Sequence, residues 1–416
     1  MIPTKSGPAL TRRAFLAGGT ATALATAGWM AAVPRGARAA ASPNETIGVG
    51  LIGCGDRGRA LMAELLTVGG RHNVRMAAVC DVWRPNLDRA AGEMARRQDA
   101  SPARTTRFRE LLARTDVDAV IIATPDFSHG AVLVAALEAG KDVYIEKPMT
   151  LDLVSANRAV DLALTRERIV QVGTQRRSEG RFRAAARWVE EGAMGRISRV
   201  TAEINFNHAR WLRPIEDCVE ADVDWEAYLL GLPGRPFDPA LLRRWQLFRE
   251  TSNGIPGLWM THYADAVHML TGATYPSAAV ALGGIHVWRD GREHADTFRA
   301  ALEYPEGFLF TWGMGLGNAH GVQFTIHGLR ATLDVESWRV IPERGVADAP
   351  EARTLAGEPG RGHVEDWVAC LRSRGPTRAP IGTGHQHVVA TVMAAQALET
   401  GRRQRYDTSR RTIFEG

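Results

Sequence analysis

Apolar runs of one kind dominate the first half of the chain. Ile47–Ile52 is short and continuous, the pattern of a strand buried on both faces of a parallel sheet, and a second strand runs from Val74 to Cys80. Between them, Ala60, Leu61, Leu65 and Leu66 recur at helical spacing. The unit repeats further on. Residues 117–123 form an apolar run, Thr124-Pro125 breaks it, and 129–139 read as a helix. Gly140-Lys141 then turns the chain into a strand at 143–145 that ends in Glu146-Lys147-Pro148. Strand–helix alternation at this spacing predicts a doubly wound parallel sheet. Past residue 195 the pattern changes to strand-like runs at 198–204, 278–287, 297–304, 307–312 and 322–327, several joined by turns such as Tyr304-Pro305-Glu306-Gly307. Residues 342–362 read as a surface loop, and a last helix at 385–398 stops before Gly401.

The start of the chain has a different grammar. Arg12 and Arg13 precede a weakly apolar stretch rich in Ala, Gly and Thr, followed by Pro34, Arg35 and Ala37-Arg38-Ala39. These elements in order predict a twin-arginine export signal over residues 1–40 and a periplasmic or otherwise exported protein. The charge balance agrees with that division. The net charge of +5 comes from Lys5, Arg12, Arg13, Arg35 and Arg38. The remaining chain is neutral, so nothing in it asks for nucleic acid. The four cysteines, Cys54, Cys80, Cys218 and Cys370, show no metal or redox spacing and read as small core residues. No histidine pattern suggests a metal site.

The first strand runs into Gly53-Cys54-Gly55-Asp56-Arg57-Gly58, which is G-x-G-x-x-G. Gly53 permits the tight turn, Gly55 lets the backbone approach a pyrophosphate, and Gly58 lets the helix pack on the strand. The second strand ends in Asp81, placed to accept hydrogen bonds from an adenine ribose, which favours NAD(H). Arg84, three residues on, leaves NADP(H) open. Gly53, Asp81, Thr124 and Lys147 all fall at strand carboxyl ends, where such sheets bind ligands.

These residues resemble the Gfo/Idh/MocA oxidoreductases, especially exported members with paired arginines. The similarity is carried by Gly53 to Gly58, Asp81, Ala123-Thr124-Pro125-x-x-x-His129 and Glu146-Lys147-Pro148. It continues through Val172-Gly173-Thr174-Gln175-Arg176-Arg177, Trp259-x-x-His262-x-x-Asp265 and Asp366-Trp367-x-x-Cys370-Leu371-Arg372-Ser373. The resemblance implies a Rossmann domain, taken as 45–167. It also implies an α+β domain at 168–416 with a large, mostly antiparallel open sheet for substrate binding and oligomerisation as a dimer or tetramer.

The resemblance also implies roles. Lys147 lies beside the nicotinamide and polarises the substrate, and His262 is the acid/base, with Asp265 on the same helix face. Members often carry an aspartate four residues before this histidine, where this chain has Leu258. Candidate cofactor contacts are Gly53, Cys54, Gly55, Asp56, Arg57, Gly58, Asp81, Arg84, Thr124, Pro125, His129, Glu146 and Lys147. Candidate substrate contacts are Gln175, Arg176, Arg177, Arg210 and Trp211. His268 reads as structural. The expected activity is hydride transfer between a carbohydrate hydroxyl carbon and a tightly held NAD(H). Two alternatives stand beside it: glycoside cleavage through transient oxidation with no net redox, and nucleotide binding without catalysis.

Overall fold

The computed structural model describes residues 45–98 and 101–416. The predicted export signal lies outside them. Six parallel strands form the first sheet: β1 (Ile47–Ile52), β2 (Val74–Cys80), β3 (Ala103–Thr105), β4 (Ala119–Ile122), β5 (Asp142–Ile145) and β6 (Val170–Val172). Their order is β3-β2-β1-β4-β5-β6. β1, β4, β5 and β6 are buried at every position, as expected for strands covered on both faces. Helix Asp56–Val68 follows β1, and helix Asp126–Glu138 follows β4, starting three residues before the sequence pattern suggested. The parallel sheet runs on through β6, past the expected boundary at 167.

The second sheet has ten strands: β7 (Ile197–Asn205), β8 (Ala278–Gly284), β9 (Thr297–Tyr304), β10 (Phe308–Gly315), β11 (Val322–Gly328), β12 (Ala331–Asp334), β13 (Arg339–Pro342), β14 (Arg353–Thr354), β15 (Gln404–Asp407) and β16 (Thr412–Glu415). Their order is β14-β13-β12-β11-β7-β10-β9-β8-β15-β16. Every pairing is antiparallel except that of β7 with β10. Along β9, Phe298, Ala300, Leu302 and Tyr304 are buried, while Arg299 and Glu303 face out. Alternation of this kind marks a sheet packed on one face only. The buried face meets helices Gly180–Glu190, Thr261–Thr271 and Ile381–Thr400. The other face leaves Val280, Leu282 and Leu309 exposed.

The two halves share their cores. Helix Ile381–Thr400 turns Val388 and Val392 toward the parallel sheet and Val389, Ala390 and Met393 toward the second. Helix His363–Ser373 inserts Val364, Trp367, Val368 and Leu371 among residues of β1, β2 and β4.

A segment between β7 and the π-turn Pro256–Met260 crosses back to the parallel sheet. It holds two short helices, Trp225–Leu229 and Pro239–Arg243, capped by the carboxylates of Asp224 and Asp238. Tyr228, Leu229, Leu241 and Leu242 pack with Trp83 in a small core of their own. Val223 bridges Trp83, and the Asp224 N–H donates to the Val82 carbonyl at 2.8 Å. The segment is therefore fastened just beyond the carboxyl end of β2.

Candidate active site

The carboxyl ends of β1, β2, β4 and β5 open on a cleft of about 510 Å³. Its far wall comes from the crossing segment, the π-turn and the helix that follows it (Thr261–Thr271), through Arg210, Trp211, Arg213, Trp245, Gln246, Leu258, Trp259 and His262.

The glycine loop has the form that the sequence requires. Gly53 has φ +91°, and a Cβ there would press on the Ala123–Thr124 backbone at 2.6–2.7 Å. Gly58 lies against the Gly53 carbonyl, which leaves a side chain no room. A Cβ on Gly55 would meet nothing within 4 Å, so this position faces open cleft. Gly55 also caps the N-terminus of helix Asp56–Val68, whose free N–H groups attract phosphate. That open cradle fits a dinucleotide. Cys54 is fully buried, so only its backbone contributes; its N–H donates to Asp81 Oδ2 at 2.7 Å.

Asp81 braces the loop and also lines the cleft. Its Oδ1 accepts from the Trp83 N–H at 2.9 Å. Burial pushes its carboxyl up to about 6 against these bonds. The Asn86 side chain donates to it as well, and the carboxylate still has acceptor capacity for a ribose hydroxyl. Arg84 is committed elsewhere. It reaches the Ala221 carbonyl and pairs with Asp222 at 3.1 Å, helping to fasten the crossing segment. It does not line the cleft. Asp56 lines the rim and stands 3.8 Å from Arg213 of the opposite wall.

Glu146 organises the next layer. Its buried carboxylate accepts from Arg57 Nε at 2.7 Å, Gln175 Nε2 at 3.1 Å and the Lys147 N–H at 3.2 Å. His129 joins the turns after β4 and β5. Its ring nitrogens stand 2.7 Å from the Pro148 carbonyl and 2.9 Å from the Thr124 carbonyl. Burial pushes this imidazole down, opposed by those two carbonyls. His129 thus fixes Thr124, Pro125 and the Lys147–Pro148 turn relative to one another.

Lys147 and His262 meet across the cleft. Lys147 Nζ donates to the Leu258 carbonyl at 3.0 Å, inside the π-turn that leads into helix Thr261–Thr271. Such turns are frequent at functional sites. The backbone of residue 258 thus engages the lysine, while its apolar side chain lines the cavity. His262 is held well below the usual imidazole range by burial and then by the cations of Lys147 and Arg176. It is neutral at physiological pH, so one ring nitrogen has a lone pair free to accept a proton.

Asp265 does not join the cleft, contrary to its expected catalytic role. It is buried under the helix, with both oxygens 2.8–2.9 Å from Arg177 Nε and Oδ1 3.8 Å from His387 Nδ1. Burial alone would raise its carboxyl. The Arg177 guanidinium and His387 outweigh burial and pull it down to about 2. The Met149 N–H in turn points at His387 Nε2, at 3.4 Å. This buried set ties the His262 helix to the chain just after Lys147, so Asp265 and Arg177 are positioning residues. Arg176 also lies behind the helix, over the rings of Tyr263 and Phe182 at 4.6 and 5.4 Å. Of the five substrate candidates, Gln175, Arg210 and Trp211 line the cleft, and Arg176 and Arg177 do not. His268 is buried and bonded to the Tyr304 hydroxyl at 2.8 Å, as its structural reading expects.

Among the cleft residues that the sequence reading did not name, two carry an unpartnered oxygen. Asp126, the first residue of its helix, is buried with Oδ2 unpartnered, and burial raises its carboxyl to about 7. Gln246 is buried with Oε1 unpartnered. Nothing in the spacing marks Gln246. Asp126 follows Thr124-Pro125 directly, and its place at a strand end was a signal that went unused. Among the described residues no cluster of His, Cys, Asp and Glu could hold a metal ion, and the four cysteines are free and buried.

Comparison with known proteins agrees with this geometry. A family profile described as an oxidoreductase family with an NAD-binding Rossmann fold matches residues 47–174, and its C-terminal alpha/beta companion matches 231–406. A glycosyl hydrolase family 109 protein of Shewanella baltica is 33% identical over 123 residues, which are 29% of this chain and 26% of that protein. The chain thus spans about a quarter of the length of such relatives. The uncharacterized oxidoreductase YdgJ of Escherichia coli is 27% identical over 286 residues, 67% of this chain and 66% of that one. The WlbA dehydrogenase of Bordetella pertussis, solved with NADH and UDP-GlcNAcA, superposes with a TM-score of 0.66 at 20% identity, covering 88% of this chain and 99% of that one. The loop, the two-sheet architecture and both matched domains make this chain a member of the Gfo/Idh/MocA oxidoreductase family, with its NAD-binding Rossmann fold.

Proposed function

We propose that this protein is an NAD(H)-dependent dehydrogenase acting on a CH–OH group of a sugar or sugar derivative. One observation carries the reading: the Lys147 ammonium and a neutral His262 line the same cleft as the open Gly55 cradle. NAD(H), when bound, supplies the hydride acceptor or donor. Gly53, Gly55 and the helix start at Asp56 would hold its phosphates, and Asp81 its ribose. Lys147 orients and polarises the reacting oxygen. His262 takes the hydroxyl proton on oxidation and returns it on reduction. His129 and Glu146 keep the lysine turn in place.

The cofactor is held tightly and regenerated by a second substrate, in keeping with export through a twin-arginine signal at Arg12 and Arg13. The open face of the second sheet serves oligomerisation. Purified full-length protein should release stoichiometric NAD(H) on denaturation and reduce it when offered the right sugar. Complete loss of cofactor on dialysis, with activity only at high added NAD, would exclude the tightly held form. Cell fractionation of an Arg12→Lys, Arg13→Lys variant tests the export route.

A second reading has specific support. The relative from Shewanella baltica is a glycosyl hydrolase family 109 protein, and Leu258 stands where a carboxylate is common in the family. Glycoside cleavage by transient oxidation and re-reduction would release sugar with no net change in NADH. Product release measured alongside absorbance of the bound cofactor separates the two.

A further inference from the structure

The crossing segment brings Arg210 to the cleft in an unusual setting. Its guanidinium lies 4.3 Å from the Phe206 ring centroid, 4.9 Å from Trp259 and 5.9 Å from Trp211. Such stacking holds the planar group while leaving its edge free to donate hydrogen bonds. Among the described residues, no carboxylate pairs with Arg210, and its Nε is buried without a partner. Most cleft cations are engaged: Arg57 with Glu146, Arg213 with Asp56, and Lys147 with the Leu258 carbonyl. A guanidinium half-buried among aromatic rings, with no acid beside it, gains from an arriving anion.

Two further observations place that anion on the substrate. Trp259, which Arg210 overlies, also contacts the His262 ring, with centroids 6.1 Å apart. The guanidinium thus stands about one aromatic ring from the proposed acid/base. Gln246, lining the same cleft, is buried with its amide oxygen unpartnered, a waiting acceptor for a hydroxyl. Leu258 adds no negative charge to this wall.

Resting on the dehydrogenase reading, we propose that Arg210 is a carboxylate receptor and that the substrate is an acidic sugar, a uronic acid or uronide. The guanidinium edge takes the carboxylate in a forked pair. Gln246 takes a ring hydroxyl, and the reacting carbon lies between Lys147 and His262.

The test uses the full-length protein with its cofactor bound. Calorimetric titration compares D-glucuronate with D-glucose and D-galacturonate with D-galactose, at low and high salt. A uronate should bind about tenfold or more tighter than its neutral parent, with a gap that narrows as salt rises. Arg210→Gln should abolish the gap and Arg210→Lys should keep part of it, with NAD(H) content unchanged in both. Equal affinities within both pairs, no uronate binding, or a gap that survives Arg210→Gln would overturn the proposal. Loss of NAD(H) from Arg210→Gln would overturn it too, by assigning the guanidinium to cofactor phosphate. Hydride transfer is scored separately. A uronate that binds through Arg210 but is not oxidised leaves the receptor standing and counts against the dehydrogenase reading alone.

Discussion

Removing the Arg177 guanidinium should damage the protein more than removing it together with its partner. Arg177 and Asp265 are nearly sealed from solvent, with side-chain exposures of 11% and 1%. Asp265 titrates at about 2, against about 3.9 for an unfolded chain, a difference worth about 2–3 kcal/mol of stability at neutral pH. Because the folded value is depressed, that contribution is complete above pH ~4 and fades as pH falls toward 2. Arg177→Met leaves the carboxylate buried with only His387 near it, and a stranded charge of this kind costs about 3–5 kcal/mol. Asp265→Leu strands the guanidinium at similar cost. The double variant replaces both charges with apolar groups and should lose far less than the sum. Urea denaturation of all four proteins at neutral pH closes the cycle. Additive losses, or a loss below about 1 kcal/mol for Arg177→Met, would refute the idea that this pair anchors the His262 helix.

Other expectations follow from the same geometry. Lys147→Met should abolish turnover while purified protein keeps its NAD(H), read by mass spectrometry of the released cofactor. Gly55→Val should cost about 1 kcal/mol or less of stability, since the cleft there is open and only a helix cap is weakened, yet weaken cofactor binding by about tenfold or more; an unaffected titration would remove the loop from phosphate binding. Asp126 binds a proton in the folded state up to about pH 7 that an unfolded chain gives up near pH 4, so its contribution favours the fold in acid and declines as pH rises between those values. Asp126→Asn should therefore raise the urea midpoint at pH ~8 more than at pH ~5. Leu258→Asp should raise the His262 pKa, because a carboxylate on that apolar wall favours the imidazolium against the burial that now disfavours it; NMR titration of the imidazole reads the direction directly.

The parallel half was the most legible in sequence, and the reasons are local. β1 is a continuous apolar run, β2 is one but for the exposed Arg75, and the bounds of both match the structure residue for residue. Gly53 and Gly58 declare themselves because each answers a separate steric demand of the backbone, and Gly55 because it keeps the cleft open between them. In the second half, β8 ends at Gly284, although the expected strand ran to Val287. There the Asp296 carboxylate accepts from the backbone N–H groups of His286, Val287 and Trp288 and turns the chain away. β15 and β16 were not anticipated, being four-residue strands without a strong period. Asp265 shows where motif reasoning stops. Helical spacing puts it near His262, but only the long-range approach of Arg177 and His387 decides that it faces the interior. Arg84 is a similar case, drawn off by Asp222 from a segment 138 residues later in the chain.

The shared cores have a consequence for the order in which the chain matures. β1, β2 and β4 are all translated by residue 122, yet Val364, Trp367, Val368 and Leu371 complete the apolar layer against them. The other face waits for Ile381, Val388 and Val392. During synthesis the nucleotide-binding half therefore remains unfinished until almost the last tenth of the protein has emerged. A fragment ending near residue 175 would carry every residue of the glycine loop and both turns that flank it. It would still present raw apolar surface, and aggregation, not cofactor binding, is its expected fate. Nucleotide competence here belongs to the finished chain, not to its first half.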